Sequence, residues 1–249
     1  MSYVKKKYIN LEHNNEFKFA DSILQEWTTE NGTLYNGDCL EVMQRLGDKS
    51  VDLLLTDPPY GIKVGKLYKK PNLVLNSATN TTVYENLDWD SNKISNSFFA
   101  EMFRVSKKQI IFGGNYYADI LPITNNWIVW DKKTEDKYSN GFSDFELAWC
   151  SGGGCRIFRY LWSGMIQQDM KNKEQRFHPT QKPVGLFEKI LDKYSQENET
   201  ILDCFLGSGT TALACENLNR KWIGIELSKD YCEIAKKRLI ENNRQAKLF

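Results

Sequence analysis

The stretch Val51-Asp52-Leu53-Leu54-Leu55-Thr56-Asp57-Pro58-Pro59-Tyr60-Gly61 decides the fold. Its apolar run has strand length and, broken only by Asp52, predicts a strand buried on both faces, as in a parallel sheet. Two prolines then forbid continuation, because neither donates to a ladder and each fixes φ at about −65°. Asp57 and Tyr60 are therefore expected on a stiff turn at the carboxyl end of a central strand, where open α/β sheets bind ligands. The same residues would also make a plain strand-ending turn, since Asp and Pro are ordinary turn residues. The second half of the chain bears on that choice.

Upstream of this stretch, Thr33-Leu34-Tyr35-Asn36 reads as a strand ending at Gly37-Asp38, and Leu40–Leu46 has helical spacing with Asp38 as its N-cap. Strand, helix, strand is the first sign of a parallel sheet. Further upstream, Asp21-Ser22 followed by Ile23, Leu24 and Trp27 reads as the start of a short helix. Downstream, Phe98–Val105 reads as a helix and Gln109–Phe112 as a strand that stops at Gly113-Gly114-Asn115. Trp127–Trp130 and Phe145–Trp149 are strand candidates expected to form a terminal hairpin at one sheet edge. Pro183–Tyr194 carries a helical apolar stripe opened by proline in the first turn.

The second informative stretch runs Thr200-Ile201-Leu202-Asp203-Cys204-Phe205 as a strand, then Leu206-Gly207-Ser208-Gly209-Thr210-Thr211, then Ala212–Leu218 as a helix. Lys221–Ile225 follows as a strand ending in Glu226, and a last helix runs from about Ser228 to Asn242. Strand, Gly-x-Gly turn, helix, strand and acid is the order of a nucleoside-binding βαβ unit. The glycines let backbone approach a ligand, and Glu226, about 20 residues further on, is placed to accept hydrogen bonds from ribose hydroxyls. The turn lacks the lysine of a phosphate-binding loop, which disfavours ATP hydrolysis. By itself it also suits a tight βα turn with no ligand.

Length and composition bound these readings. A chain of 249 residues, 41% hydrophobic and 26% charged, suits one large α/β domain spanning residues 1–249, with no linker to divide it. A net charge of +1 leaves any nucleic-acid contact to local basic patches. Two candidates exist. One is the loop at residues 61–97, with Lys63, Lys66, Lys69 and Lys70 around Tyr68, followed by Tyr84 and Trp89; long loops beside a site are usually functional or disordered. The other is residues 151–177, where Arg156, Arg159, Lys171, Lys173 and Arg176 alternate with Phe158, Tyr160, Trp162 and Phe177. Basic residues neutralise phosphates and aromatic rings stack on bases, although a charge run is more often a solvated face. The six cysteines form no CxxC pair and the chain has two histidines, so no zinc or other metal site is expected. Cys204 and Cys215 read as buried thiols. No apolar run reaches membrane-spanning length and no apolar region follows the first lysines, so a cytoplasmic location is expected.

Taken together, Asp57-Pro58-Pro59-Tyr60 and Phe205-Leu206-Gly207-Ser208-Gly209-Thr210 resemble the DNA amino-methyltransferases that use S-adenosylmethionine. The likeness extends through Gly37-Asp38-Cys39, His178-Pro179-Thr180-Gln181-Lys182-Pro183 and Gly224-Ile225-Glu226, from about Thr33 to Leu239. The catalytic motif precedes the glycine motif, as in the circularly permuted β class. The resemblance implies an α/β, Rossmann-like class I methyltransferase fold with a mostly parallel, seven-stranded sheet flanked by helices.

It also implies roles. Phe205, Gly207, Gly209 and Thr210 match positions lining the methionine part of the cofactor, with Asp203, Ser208 and Thr211 beside them. Glu226, next to Leu227, matches the ribose ligand, and Asp38, next to Cys39, the adenine side. Thr180 and Lys182 match the segment that closes over the cofactor, and Asp57 borders both cofactor and substrate. Asp57, Pro58, Pro59 and Tyr60 would hold the amine: two acceptors, a stiffener and a stacking ring. Asp at the first motif position favours adenine N6, because Ser is commoner there in cytosine-N4 relatives. Cytosine-N4 transfer, RNA or protein-glutamine methylation, and an inactive nucleic-acid-binding relative are the alternatives. No Pro-Cys dipeptide of the ring-carbon methyltransferases occurs. The implied partners are double-stranded DNA, read by residues 61–97 and 151–177, a second copy of the chain, and a cognate restriction endonuclease.

Overall fold

The computed structural model describes residues 25–62, 93–133, 143–163, 166–177 and 180–246. Most of the basic loop at 61–97, His178, Pro179 and the expected helix start at Asp21–Leu24 lie outside the described residues.

In chain order the elements are β1 (Gln25–Thr28), β2 (Gly32–Asn36), α1 (Cys39–Gln44), β3 (Val51–Thr56), α2 (Asn96–Val105), β4 (Ser106–Phe112), β5 (Trp127–Asp131), β6 (Phe145–Cys150) and β7 (Arg156–Arg159). A small hairpin, β8 (Trp162–Ser163) and β9 (Ile166–Gln167), precedes α3 (Val184–Tyr194), β10 (Thr200–Asp203), α4 (Thr210–Asn217), β11 (Lys221–Glu226) and α5 (Lys229–Ala246). The main sheet runs β1-β2-β11-β10-β3-β4-β6-β5-β7. From β2 through β11, β10 and β3 to β4 every neighbour is parallel; β6 is antiparallel to both β4 and β5. The expected seven-stranded core is thus β2 to β5, extended by an antiparallel β1 at one edge and a parallel β7 at the other.

β3 is buried on both faces, as its sequence predicts. Leu53 and Leu55 pack with Phe187, Ile190, Ala212 and Leu239 from the helices on one side. Leu54 packs with Val42, Met43, Phe99 and Met102 on the other. Full burial of each leucine contributes roughly 1.5–3 kcal/mol, so this strand anchors both layers. α1 starts where Asp38 accepts a hydrogen bond from the Leu40 N–H at 2.7 Å, and it buries Cys39, Val42 and Met43 at helical spacing.

Two expectations are corrected. Where a short helix was expected through Trp27, residues Gln25–Thr28 form β1 instead. Trp27 lies opposite Leu34 in the antiparallel register and packs on the core, so the open edge of β2 outweighs weak helical spacing. The β5–β6 hairpin forms but is not terminal, because β6 lies inside, next to β4, and β7 covers β5 with Val129 opposite Ile157. Gly153 (φ +98°) and Gly154 (φ +73°) make the turn that leads the chain back to that edge.

The crossover from β3 leads to β4 on one side, and the crossover from β10 leads to β11 on the other. Between the carboxyl ends of β3 and β10 the connections diverge and leave a crevice, which is where such sheets hold ligands.

Candidate active site

The wall at the end of β3 is built first from Thr56, which is buried and donates from Oγ1 to Asp203 Oδ1 at 2.7 Å across the crevice. Asp57 follows, and Pro58 and Pro59 end the strand. The Pro59 carbonyl accepts from the Tyr117 hydroxyl, and the Tyr60 hydroxyl donates to Asp57 Oδ1. The Tyr60 ring stacks on Tyr116 with centroids 4.7 Å apart and planes 17° from parallel. Gly113, at φ +65°, lies so close that a Cβ there would fall 2.0 Å from the Tyr60 ring. Gly113 therefore makes the room in which Tyr60 sits, while Gly114 makes room for Trp149. Tyr116 and Tyr117 follow in a short 3-10 turn at Gly114–Tyr117.

The opposite wall rises from β10 and β11. Asp203 accepts from Thr56, from the Phe205 N–H at 3.1 Å, and from the Thr211 hydroxyl on Oδ2. Burial pushes its carboxyl up to about 6, against those three donors. Glu226 accepts the Gly207 N–H at 2.8 Å and the Ser228 N–H at 2.7 Å, so its carboxylate is oriented by backbone. Burial raises its pKa as well, with the same two amides opposing. The two glycines of the turn act differently. Gly207 (φ +54°) has nothing within 4 Å of a hypothetical Cβ, so open space lies above its backbone. Gly209 (φ +89°) starts α4 and packs on α5, a Cβ falling 3.0 Å from that of Ala235.

A third strand of chain, Thr180-Gln181-Lys182, ties the walls together. Thr210 donates from Oγ1 to the Lys182 carbonyl at 3.0 Å, and Ser208 to Gln181 Oε1 at 3.1 Å. The Lys182 side chain, 6% exposed, crosses to the β3 wall and pairs with Asp57 Oδ2. Its Nζ also lies 3.2 Å from Glu146 Oε2 on β6, and Glu146 Oε1 pairs with Lys132 at 2.5 Å. Burial would lower the Lys182 pKa, but the Asp57 and Glu146 carboxylates outweigh it and hold the ammonium charged. Burial likewise opposes ionisation of Glu146, yet Lys182 and Lys132 hold its pKa below the usual value. For Asp57 burial wins and raises the pKa, with Lys182 opposing. Burial, then the Asp57 charge, raises the Tyr60 phenol, which keeps it a proton donor.

Between the walls is a cavity of about 680 Å³, ample for a nucleoside-sized ligand. It is lined by Asp38, Cys39, Asp57, Pro59, Thr180, Lys182, Asp203, Phe205, Gly207, Ser208, Thr210, Thr211, Glu226 and Leu227. Of the residues singled out in the sequence, Gly209 lies beneath the helix start, and Pro58 and Tyr60 lie behind the lining. The cavity fits S-adenosylmethionine: a carboxylate-tipped strand faces an open glycine turn, and apolar Phe98 and Phe205 flank it with rings 6.3 Å apart.

Sequence reasoning did not single out Tyr116, Tyr117, Glu146, Lys132 or Phe98. A Glu within the apolar strand Phe145–Cys150 was the available signal for Glu146, and two tyrosines straight after a strand-ending glycine pair for the others. The segment 151–177 divides by residue type. Arg156, Arg159, Lys171 and Lys173 are exposed. Its aromatic rings turn inward: Phe158 and Tyr160 pack on the core, Trp162 is buried under Arg176 at 4.3 Å, and Phe177 lies under Arg238 at 5.3 Å.

Comparison with known proteins bears on this geometry. The family model for N6/N4 methyltransferases, described as DNA methylase, matches residues 122–237. The chain is 28% identical to the type II methyltransferase M2.LlaDCHI of Lactococcus lactis subsp. cremoris, over 90% of this chain and 96% of that protein. It is 26% identical to the type II methyltransferase M2.DpnII of Streptococcus pneumoniae, over 92% of this chain and 98% of that protein. Among solved structures it is similar to the M1.HpyAVI-SAM complex, with a TM-score of 0.54 and 29% identity over 84% of this chain and 98% of that one. The cytosine-N4-specific PvuII DNA methyltransferase shares the fold at a TM-score of 0.54 and 17% identity, over 84% of this chain and 86% of that one.

Proposed function

We propose that the chain is an S-adenosylmethionine-dependent DNA methyltransferase of the adenine-N6/cytosine-N4 type, and that it methylates the N6 amine of adenine within a short target sequence. The observation that carries this reading is Asp57 at the carboxyl end of β3, with its side chain at the cavity between the two walls. An exocyclic amine is a poor nucleophile because its lone pair is delocalised into the ring. Asp57 Oδ and the Pro58 carbonyl accept its two N–H bonds, which favours a pyramidal nitrogen with the lone pair directed at the methyl group. That is stabilisation of the transition state by acceptors already in place. Two prolines keep the turn stiff, and Tyr117 pins the Pro59 carbonyl. Tyr60 stacks on the base once it has been flipped from the duplex.

S-Adenosylmethionine bound in the cavity supplies the electrophilic methyl on its sulfonium. Glu226 would receive the ribose hydroxyls, Asp38 and Cys39 would border the adenine, and the Phe205–Thr211 turn with Asp203 would hold the amino-acid end. Thr180 and Lys182 close over it. No covalent enzyme intermediate is needed: the N–C bond to the methyl would form as its S–C bond breaks, a neutral thioether would leave, and the surplus amine proton would pass to solvent. The exposed Arg156, Arg159, Lys171 and Lys173 would neutralise DNA phosphates, together with the loop 61–97. A second copy of the chain and a cognate endonuclease are the further partners of this reading. Among the described residues no helix is long and apolar enough to cross a membrane.

Labelling of double-stranded DNA by tritiated S-adenosylmethionine, followed by nucleoside analysis, tests the proposal. N6-methyladenine is the expected product. N4-methylcytosine would replace the substrate base, and label in RNA or protein alone would overturn the reading.

A further inference from the structure

The groups around Asp57 hold one feature that the roles above leave unused. Asp57 enters the reaction as an acceptor, yet both its oxygens are already engaged, Oδ1 by the Tyr60 hydroxyl and Oδ2 by the Lys182 ammonium. An ammonium on that oxygen draws negative charge from the acceptor that the incoming amine must use. Lys182 also lines the cavity, so it would set a positive charge near an amine that becomes positive as the methyl arrives and near a cationic sulfonium held there. A second landing place for Lys182 is built into β6. Glu146 Oε2 is buried and meets Lys182 Nζ at 3.2 Å as an ion pair, with no well-directed hydrogen bond between them. Glu146 Oε1 is held by Lys132 at 2.5 Å, and Lys132 is itself 5.1 Å from the centre of the Trp130 ring, so the carboxylate is braced from behind. A buried carboxylate oxygen already ion-paired to this ammonium has lone pairs to spare for a full hydrogen bond from it.

We propose that Glu146 is a positioning residue for methyl transfer: it receives the Lys182 ammonium as the target amine takes Asp57. Lys132, Glu146, Lys182 and Asp57 are two cations and two anions, so the exchange moves a hydrogen bond without leaving net charge buried. The move is small, because Lys182 already touches both carboxylates. The inference rests on the role given to Asp57 and extends it.

Glu146→Gln keeps the shape and removes the charge that draws Lys182 away. The expected result is a single-turnover rate lowered about 100-fold at saturating cofactor, with the KM for DNA and the cofactor Kd each within threefold of wild type. Glu146→Asp is expected to recover at least tenfold of that loss. A Glu146→Gln rate within threefold of wild type overturns the proposal. So does a loss carried entirely by KM or cofactor affinity, or one that Glu146→Asp does not relieve. The variants are read on whichever polymer the wild type labels, so a change of substrate leaves this test standing. Lysine side-chain 15N NMR gives a readout without turnover. The Lys182 Nζ resonance, assigned with Lys182→Arg, should shift in both Asp57→Asn and Glu146→Gln; a response to Asp57→Asn alone shows an unshared ammonium and overturns the inference even if the protein methylates nothing.

Discussion

The two walls of the cavity each present carboxylates, but they hold them by opposite means. On the β10–β11 wall, Asp203 and Glu226 are held by neutral donors: backbone N–H groups of Phe205, Gly207 and Ser228, and the hydroxyls of Thr56 and Thr211. On the β3–β6 wall, Asp57 and Glu146 are held mainly by the ammonium groups of Lys182 and Lys132. Backbone donors belong to the fold and cannot leave, so they fix a carboxylate in one orientation. Lysine side chains pivot on flexible stems, so their pairs can be exchanged. The first wall is a rigid cradle suited to a ligand that binds the same way each cycle. The second suits an acceptor that must give up one donor and take another.

The largest effect that would break this contrast is on Asp57. Asp57→Ala should lower single-turnover methyl transfer by about 1,000-fold while calorimetry shows cofactor affinity within threefold of wild type. If affinity collapses along with rate, the walls are not separable. The next effect is on stability. The Asp203 carboxyl stands at about 6 when folded against 3.8 ordinarily, so the folded state binds its proton more tightly than the unfolded chain. That contribution is fully present below the unfolded value and is lost as pH rises through about 6, amounting to roughly 2–3 kcal/mol. Thermal unfolding of Asp203→Asn from pH 4 to 7 should lack this fall; an unchanged pH slope would mean that the cradle does not bury its acid in solution.

A smaller change is expected at Glu226. Glu226→Gln should weaken cofactor binding about 10- to 30-fold and leave the rate at saturating cofactor within threefold, as loss of charge-assisted hydrogen bonds predicts. A rate defect at saturation would move Glu226 from the cradle to the chemistry. The smallest concerns a neutral donor to a carboxylate of the second wall. Tyr60→Phe keeps the stacking ring and removes the hydroxyl on Asp57, and single-turnover transfer should fall about fivefold, near 1 kcal/mol. A larger loss would show that Asp57 depends on a fixed donor after all.

Both motifs were legible because their chemistry is local. Two prolines after an apolar run end a strand wherever it lies, and Gly207 and Gly209 at positive φ make a turn that few other residues allow. Asp38 caps α1 and Asp57 ends β3 for the same kind of reason. The groups that tune the site were not legible, because they come from far along the chain. Glu146 is a single acid in an apolar strand until β6 lies antiparallel to β4 and brings it to Lys182. Trp162 and Phe177, interleaved with basic residues, have the pattern of base-stacking rings in the sequence, but Arg176 and Arg238 lie over them in the fold. Residues 25–28 became a strand only because β2 had an edge to fill.

By itself, then, the amino-acid sequence determined the strand order of chemistry: an acid and a ring at the end of one parallel strand, a glycine turn and an acid at the ends of two others. Turn stereochemistry and apolar periodicity act over a few residues and need no partner. Only the tertiary structure decided which charges meet. A buried ion pair is defined by the low-dielectric space that several distant elements enclose, and that space exists only once β3, β6 and the segment before α3 have packed together.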